Sequence, residues 1–128
     1  PPLGLHEAAS GRSQVFPQHV AEPIADPRTP PPHLTGGTVD LTLTLDGTPM
    51  ALGTGFDDFT DRATTVSLEA EPGTARELRR LLYGAMRSAD FVVLHCEWWH
   101  FEFGTRRWAA ITGNEPKYGP ASLPASYR

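Results

Sequence analysis

The amino-acid sequence predicts an α+β fold, in which a small antiparallel sheet is flanked by helices. Three segments support this prediction. Residues 39–45 alternate aliphatic and polar side chains, residues 75–88 repeat apolar side chains at helical spacing, and residues 91–103 are rich in aromatic and β-branched side chains. The chain of 128 residues is long enough to bury one sizeable core, so we treat residues 1–128 as a single domain.

The first part of the chain is weakly patterned. Residues 2–16 contain scattered apolar side chains and predict a short helix. Residues 17–32 are rich in proline, which excludes the interior of a helix and a central strand. We interpret this second stretch as an ordered loop that delivers His33.

Residues 39–45 predict a strand, because Val39, Leu41, Leu43 and Leu45 alternate with polar residues. Asp46-Gly47 then predicts the turn of a β-hairpin, with residues 48–52 as its second strand. The aliphatic side chains are expected to face the core, which puts Asp40 on the opposite face.

A long connection, residues 53–72, precedes the predicted helix, and long connections in compact domains are often functional. Thr74 and Glu77 have the spacing of a capping box, which predicts the start of the helix. Apolar residues at helical spacing then predict an amphipathic helix over residues 75–88. These residues are Leu78, Leu81, Leu82, Ala85 and Met86.

Residues 91–103 predict a strand, because aromatic and β-branched side chains dominate the segment. Residues 112–128 contain glycine and proline and are interpreted as a loop-like tail. No internal repeat is visible.

The overall composition excludes several classes of partner. A formal net charge of −4 and a pI of about 5.7 argue against a nucleic-acid-binding surface, which is basic. No apolar run is long enough to span a bilayer, so we expect no membrane partner. The single cysteine cannot form an internal disulfide, and no secretory signal is visible. We therefore expect a cytoplasmic protein, and the sequence leaves its oligomeric state open.

Residues able to bind a metal or transfer a proton are most concentrated in HCEWWHFEFG, residues 95–104. From Cys96 to His100 it reads as HExxH with cysteine in the first histidine's place, and HExxH binds zinc from a helix. The aromatic residues favour a strand, which argues against a helical HExxH site. Two interpretations remain, a different zinc motif on another scaffold and a buried aromatic strand without a metal. Strict alternation would put Glu97 and His100 on opposite faces. Both can face one cleft only if the strand is bulged or turns between them.

Three residues can form a metal site together. His33 follows the proline-rich loop, Asp40 comes seven residues later across a glycine turn, and His100 lies on a second strand. Two histidines, one aspartate and an open fourth position are the arrangement of catalytic zinc. The sequence thus predicts one zinc ion per chain, in a cleft on the sheet. The alternative is that Asp40 faces solvent, as a lone strand aspartate commonly does.

Glu97 is the candidate general base, because zinc lowers the pKa of its bound water toward ~7, where a carboxylate can accept the proton. His95 and Cys96 are alternative ligands. Their alternation between core and surface explains them without a metal.

Two further groups of side chains receive structural interpretations. Trp98 and Trp99 are interpreted as core and pocket wall. The arginine pairs Arg79-Arg80 and Arg106-Arg107 are interpreted as solvated faces rather than anion sites.

Taken together, three stretches resemble the D-alanyl-D-alanine dipeptidases, a zinc peptidase family that shares its fold with the D-Ala-D-Ala carboxypeptidases and the Hedgehog signalling domain. They are PPPHLTGGTVDLTL (30–43), GTGFDD (53–58) and EWWHFEFG (97–104). The resemblance covers roughly residues 28–105. It implies that His33, Asp40 and His100 hold zinc and that Glu97 is the general base.

The same resemblance implies a substrate-binding loop. The Gly-x-x-Phe-Asp stretch of the family matches at Gly53, Phe56 and Asp57, and the family's aspartate pairs with the free amino group of the substrate. We therefore expect Asp57 and Phe56 to bind substrate, with Trp98 in the pocket wall.

Two departures from the family pattern limit this expectation. The pattern Ser-x-His-x-x-Gly-x-Ala-x-Asp here has Pro31 and Thr38 at the serine and alanine positions, and in some members that serine helps to recognise the dipeptide carboxylate. The family also has an arginine in a Tyr-Arg-Pro stretch that stabilises the developing oxyanion. Residues 1–3 resemble the continuation of that stretch. We therefore expect an N-terminally truncated chain, the C-terminal portion of the family domain.

Three functions follow as hypotheses. The first is zinc-dependent hydrolysis of a small dipeptide, D-alanyl-D-alanine or a related cell-wall peptide. The second is a peptidase or amide hydrolase that acts on larger peptidoglycan or biosynthetic substrates. The third is a zinc-binding module without catalytic activity, suggested by the absent arginine.

Overall fold

The computed structural model describes residues 31–122. The helix predicted over residues 2–16 and most of the proline-rich loop lie outside this range. Within it, the architecture is the predicted α+β type, with two helices and two small antiparallel sheets. The strands are β1 (Thr38–Asp40), β2 (Thr44–Leu45), β3 (Thr48–Pro49), β4 (Val92–Leu94) and β5 (Glu97–Glu102), and the helices are α1 (Thr74–Ser88) and α2 (Arg106–Thr112).

The larger sheet has β5 at its centre, with β1 on one side and β4 on the other. Both pairings are antiparallel. In the pairing of β1 with β5, Asp40 lies directly opposite His100. Strand register thus brings together two residues of the predicted site that are sixty positions apart in the chain.

The segment 39–45 is a single strand in our prediction and is interrupted in the structure. β1 ends at Asp40, and the chain pairs again only as the hairpin of β2 and β3, which forms a separate sheet. The hairpin turn at Asp46-Gly47 is confirmed. The predicted core face is partly wrong, because Val39 and Leu45 are 40% and 63% exposed. Only the middle aliphatics, Leu41 and Leu43, pack against the core, since the two halves of the segment belong to different sheets.

Helix α1 confirms the predicted amphipathic helix, and it begins one residue earlier than expected. Leu78, Leu82 and Met86 pack against the core. Leu81 is 62% exposed and Ala85 is exposed as well, so the buried stripe is narrower than the periodicity predicts.

The predicted capping box is wrong. Gly73 is the N-cap residue, Thr74 is the first residue of the helix, and no side chain caps the helix. The Glu77 carboxylate instead pairs with Arg76 at 2.9 Å. Spacing alone could not distinguish a cap from a first-turn residue, because the preceding glycine can also occupy the N-cap.

The aromatic segment 91–103 is a hairpin and not one strand. The chain reverses at His95-Cys96, between β4 and β5. The resulting core is centred on the aromatic residues of β5 and is completed by residues from the long connection and α1. Its buried members are Leu52, Ala63, Leu82, Trp98, Trp99 and Phe101.

Helix α2 was not predicted. Thr105 caps its N-terminus by accepting a hydrogen bond from the Trp108 amide, and Gly113 ends it in the left-handed conformation. Beyond Gly113 the described tail has no regular structure, as expected. The amide of Ala121 donates to the carbonyl oxygen of Leu34 at 2.8 Å. The tail is thus hydrogen-bonded to the residue that follows His33. No helix in the described range is long and hydrophobic enough for a bilayer crossing.

Candidate metal centre

The structure brings His33, Asp40 and His100 together. The Nε2 atom of His33 lies 3.5 Å from one carboxylate oxygen of Asp40, and the Nδ1 atom of His100 lies 3.2 Å from the other. One donor atom from each side chain lies within 4.8 Å of the other two. The triad is thus compact enough for one ion to contact all three side chains.

Local sequence explains how His33 reaches the sheet. His33 lies in a 3₁₀ helix, Pro32–Thr35, that begins with proline and ends at Gly36. The left-handed conformation of Gly36, with φ of 73°, turns the chain into β1. The six residues between His33 and Asp40 therefore form one turn and most of one short strand, which brings the two side chains close together.

The three side chains differ in burial. The side chain of His100 is 4% exposed, that of Asp40 is 32% exposed and that of His33 is 50% exposed. One of the three side chains is thus buried in the core, and the other two border solvent. In the described part of the chain, this leaves the centre accessible to a small molecule.

Glu97 lies beside the triad. Its Oε2 atom is 3.5 Å from the Nδ1 atom of His100. The register of β4 with β5 shifts between Val93 and Leu94, so β5 is irregular between Glu97 and Phe101. This irregularity allows Glu97 and His100 to face one cleft, the condition set by the sequence analysis.

Glu102, which the sequence analysis did not single out, holds His100 from the other side. Its Oε1 atom lies 2.9 Å from the Nε2 atom of His100, and its Oε2 atom accepts a hydrogen bond from the Thr105 hydroxyl. Because an ionised carboxylate only accepts, the contact with Glu102 requires a proton on Nε2 of His100, and Nδ1 is the ring nitrogen that faces Asp40. A sequence signal existed: Glu102 lies two residues after His100 in a strand and so shares its face.

The environment of Glu102 favours its ionised form. Burial, the largest single effect, raises the pKa of this carboxyl, and hydrogen bonds from His100 and Thr105 lower it. Together with the positive charge of Arg107, whose Nη1 lies 3.6 Å from Glu102, they hold the pKa below its ordinary value of 4.5. The prediction of a solvated face for this arginine pair is therefore wrong for Arg107. Arg106 is exposed, as predicted.

The residues expected to bind substrate lie together on the long connection and β5. Phe56 is 45% exposed, and its ring centroid lies 5.8 Å from that of Trp98 and 5.7 Å from that of Trp99. Asp57 is exposed, with a φ of 56°. Trp98 is 4% exposed, so it acts as the wall that supports Phe56.

The donor set fits zinc. Two imidazole nitrogens and one carboxylate oxygen suit a borderline metal, and three protein ligands leave a fourth position for water or substrate. The carboxylate of Glu102 on the far nitrogen of His100 is the outer contact that metal-binding histidines commonly have. His95 and Cys96 lie in the turn between β4 and β5 and do not belong to the triad.

Comparison with known proteins finds one matching family model and two similar relatives. The family model described as D-ala-D-ala dipeptidase matches residues 7–114. A D-alanyl-D-alanine dipeptidase of Synechocystis is 37% identical over 107 residues, which is 75% of this chain and 43% of the relative. A D-alanyl-D-alanine dipeptidase of Escherichia coli is 37% identical over 71 residues, 55% of this chain and 36% of the relative.

The chain spans less than half the length of either relative. No solved structure matches it at comparable significance. The family match covers most of the sequence, including all three stretches that form the site. The chain therefore belongs to the D-ala-D-ala dipeptidase family.

Proposed function

We propose that this protein is a zinc-dependent dipeptidase that hydrolyses D-alanyl-D-alanine or a closely related cell-wall dipeptide. The observation that carries the proposal is the convergence of His33, Asp40 and His100 beside Glu97 in a chain of this family. The names of the two relatives support the choice of substrate.

In this proposal the side chains of His33, Asp40 and His100 would hold zinc. When bound, zinc supplies Lewis-acid polarisation of the scissile carbonyl and acidification of water. Glu97 accepts a proton from the attacking water and later delivers a proton to the leaving amine. His100 keeps its orientation because Glu102 holds the opposite ring nitrogen.

Recognition of the substrate is assigned to the long connection. The carboxylate of Asp57 pairs with the free amino group of the dipeptide through a charge-assisted hydrogen bond. Phe56, which stacks against Trp98 and Trp99, covers the apolar side of the substrate. A free amino group is thus the feature that distinguishes a dipeptide from an internal segment of a longer chain.

A second candidate function is cleavage of larger peptidoglycan stems. The half-exposed His33 and partly exposed Asp40 favour it, because a centre this open has room for a longer substrate. The two candidates differ in whether a free amino group next to the scissile bond is required.

That requirement provides the test. Zinc-loaded protein should hydrolyse free D-Ala-D-Ala and leave the N-acetylated dipeptide nearly uncut. Asp57→Asn should lower kcat/KM for the free dipeptide by about tenfold or more, because a hydrogen bond between charged groups contributes roughly 1.5–3 kcal/mol. The matched control is Asp58→Asn, since the Asp58 side chain accepts hydrogen bonds from Thr60, with the Thr60 amide at 3.0 Å, and asparagine can accept them too.

Both rates are measured by quantifying released D-alanine. Equal cleavage of blocked and free dipeptides would favour the larger substrates and remove the role given to Asp57. Stoichiometric zinc with no turnover on either substrate would identify a non-catalytic module.

The contact between Glu102 and His100 makes a separate prediction. Glu102→Gln should weaken zinc binding roughly 10- to 100-fold, because glutamine can present an amide N–H to Nε2 and so favour the wrong tautomer of His100. Zinc affinity is measured by competition with a chromophoric chelator. Glu77→Gln is the control, since its side chain on α1 is 57% exposed. An unchanged zinc affinity in Glu102→Gln would contradict the role of Glu102.

A further inference from the structure

Arg79 occupies an unusual position for a charged residue. It lies on α1 next to the half-exposed Arg80, yet it is only 5% exposed. The sequence predicts a solvated face for both arginines, and for Arg79 that prediction is wrong. Burial, with a smaller effect of Arg62, lowers the pKa of Arg79 to about 10, so its guanidinium stays charged at neutral pH.

The acceptors of Arg79 lie on both sides of one loop. Nε donates to the carbonyl oxygen of Leu52 at 2.6 Å, just before residues 53–61. The two Nη atoms donate to groups just after these residues. Their acceptors are the carbonyl oxygens of Arg62 (2.9 Å) and Thr64 (3.0 Å) and the hydroxyl of Ser67 (3.0 Å).

This geometry requires the fork of a guanidinium. Within the described residues, Arg79 donates to three carbonyls and one hydroxyl, and a planar group with five N–H donors can reach acceptors in several directions at once. A lysine ammonium has three donors at a single point. The two ends of loop 53–61 are thus bound to one side chain of a helix.

The loop is also joined to the strand that carries Glu97. The guanidinium carbon of Arg79 lies 5.5 Å from the ring centroid of Trp98, the residue after Glu97 in β5. The Nε1 atom of Trp98 donates to the hydroxyl of Thr54 at 2.8 Å, inside the loop. Arg79 and Trp98 therefore connect the loop with β5 through two independent contacts.

Gly53 permits this close packing. A Cβ atom at this position would lie 3.1 Å from Nη2 of Arg79 and 2.8 Å from Cδ1 of Leu68. The backbone φ of 99° also disfavours any side chain. The loop can therefore approach the guanidinium only with glycine at its first residue.

We propose that Arg79 is a positioning residue that fixes loop 53–61, and with it Phe56 and Asp57, relative to Glu97 and the metal ligands. Arg79 touches neither substrate nor metal in this proposal. It sets the affinity for the amino end of the substrate through the loop. This inference rests on the proposed function, because it assigns Asp57 to the substrate's amino group.

The test compares Arg79→Lys with Arg80→Lys, since the pairs that Arg80 makes among residues 31–122 are with the exposed carboxylates of Glu69 and Glu77. Arg79→Lys should raise KM for D-Ala-D-Ala roughly 10- to 100-fold, because a small displacement of a positioning group has effects of this size. Its kcat and zinc affinity should stay within about twofold of the parent, and Arg80→Lys should behave as the parent in every measurement. An unchanged KM, or a parallel loss of zinc, would overturn the proposal.

A double-mutant cycle separates positioning from general destabilisation. If Arg79 acts through Asp57, Arg79→Lys in an Asp57→Asn background should raise KM by much less than it does alone. Additive effects would overturn the proposal. Gly53→Ala should disturb the contact between the loop and Arg79 while Arg79 itself is intact. It should therefore reproduce the rise in KM.

A readout that needs no activity keeps this inference distinct from the proposed function. Phe59 is 82% exposed within the loop, so chymotrypsin cleavage after Phe56 or Phe59 reports loop opening. Arg79→Lys should be cut there faster than the parent and Arg80→Lys, and equal rates would overturn the anchoring role. A parent that binds no zinc or cleaves no dipeptide would instead defeat the proposed function.

Discussion

A double substitution of His33→Ala and His100→Ala is expected to abolish stoichiometric zinc binding. The triad offers three donor atoms within 4.8 Å of one another, and the double variant retains only the Asp40 carboxylate. A single carboxylate does not hold zinc against water and buffer. Zinc content after desalting, measured by inductively coupled plasma mass spectrometry, should fall from about one ion per chain to near zero.

The two single variants should differ in stability. His33 is half exposed, so His33→Ala should lose zinc and leave the metal-free fold nearly unchanged. His100 is buried, and its removal leaves the Glu102 carboxylate without that partner, which costs roughly 1–3 kcal/mol or more. Urea unfolding in the presence of a chelator measures this difference without any contribution from zinc.

Zinc itself should stabilise the parent. A ligand that binds only the folded state adds about 4 kcal/mol when its free concentration exceeds Kd a thousandfold. This gain should be absent from both single variants. His95→Ala is the control, because His95 is exposed in the turn between β4 and β5 and outside the triad. Stoichiometric zinc in the double variant would refute the ligand assignment.

The parts of the molecule that local rules govern were predictable from the sequence. The helix over 75–88 follows from apolar spacing, and the turn at Asp46-Gly47 follows from the conformations that these residues accept. The proximity of His33 to Asp40 is also a local feature, since only six residues, which include a glycine turn, separate them. Strand character around His100 followed from aromatic content.

The features that were missed depend on partners far away in the chain. Arg79 looks like its neighbour Arg80 in sequence, and only the carbonyls of a loop some fifteen to twenty-seven residues earlier explain its burial. The interruption of residues 39–45 arises because β1 pairs with β5, which periodicity within the segment cannot reveal. Helix α2 is short, and its buried residues Trp108 and Ala109 pack with Val92 of another element.

Glu97→Gln tests the mechanism most directly. Glutamine keeps the size and the hydrogen-bonding capacity of glutamate but cannot accept a proton at neutral pH. If Glu97 is the general base, turnover of D-Ala-D-Ala should fall by at least ~10²-fold, the usual scale for this kind of catalysis. Zinc affinity should stay near that of the parent, since Glu97 is not one of the three ligands.

The alternative role for Glu97 is to orient His100, because its Oε2 atom lies 3.5 Å from Nδ1 of that histidine. The structure already supplies an orienting group, since Glu102 holds the opposite ring nitrogen at 2.9 Å. Nδ1 is moreover the atom that faces Asp40, so a bound metal would take the place of the contact with Glu97. Both observations favour the role of Glu97 as general base over a role in orienting His100.

The pair Glu97→Gln and Glu102→Gln therefore separates the two carboxylates. Both substitutions replace glutamate by its amide beside the same histidine, one on each ring nitrogen. We expect Glu97→Gln to retain zinc and lose turnover, and Glu102→Gln to lose zinc affinity and recover turnover when zinc is raised to saturation. Zinc titration and released D-alanine are measured on the same samples. A zinc-saturated Glu97→Gln protein that turned over near the parent rate would rule out the general-base role, because no other change in that variant could compensate for the lost proton acceptor.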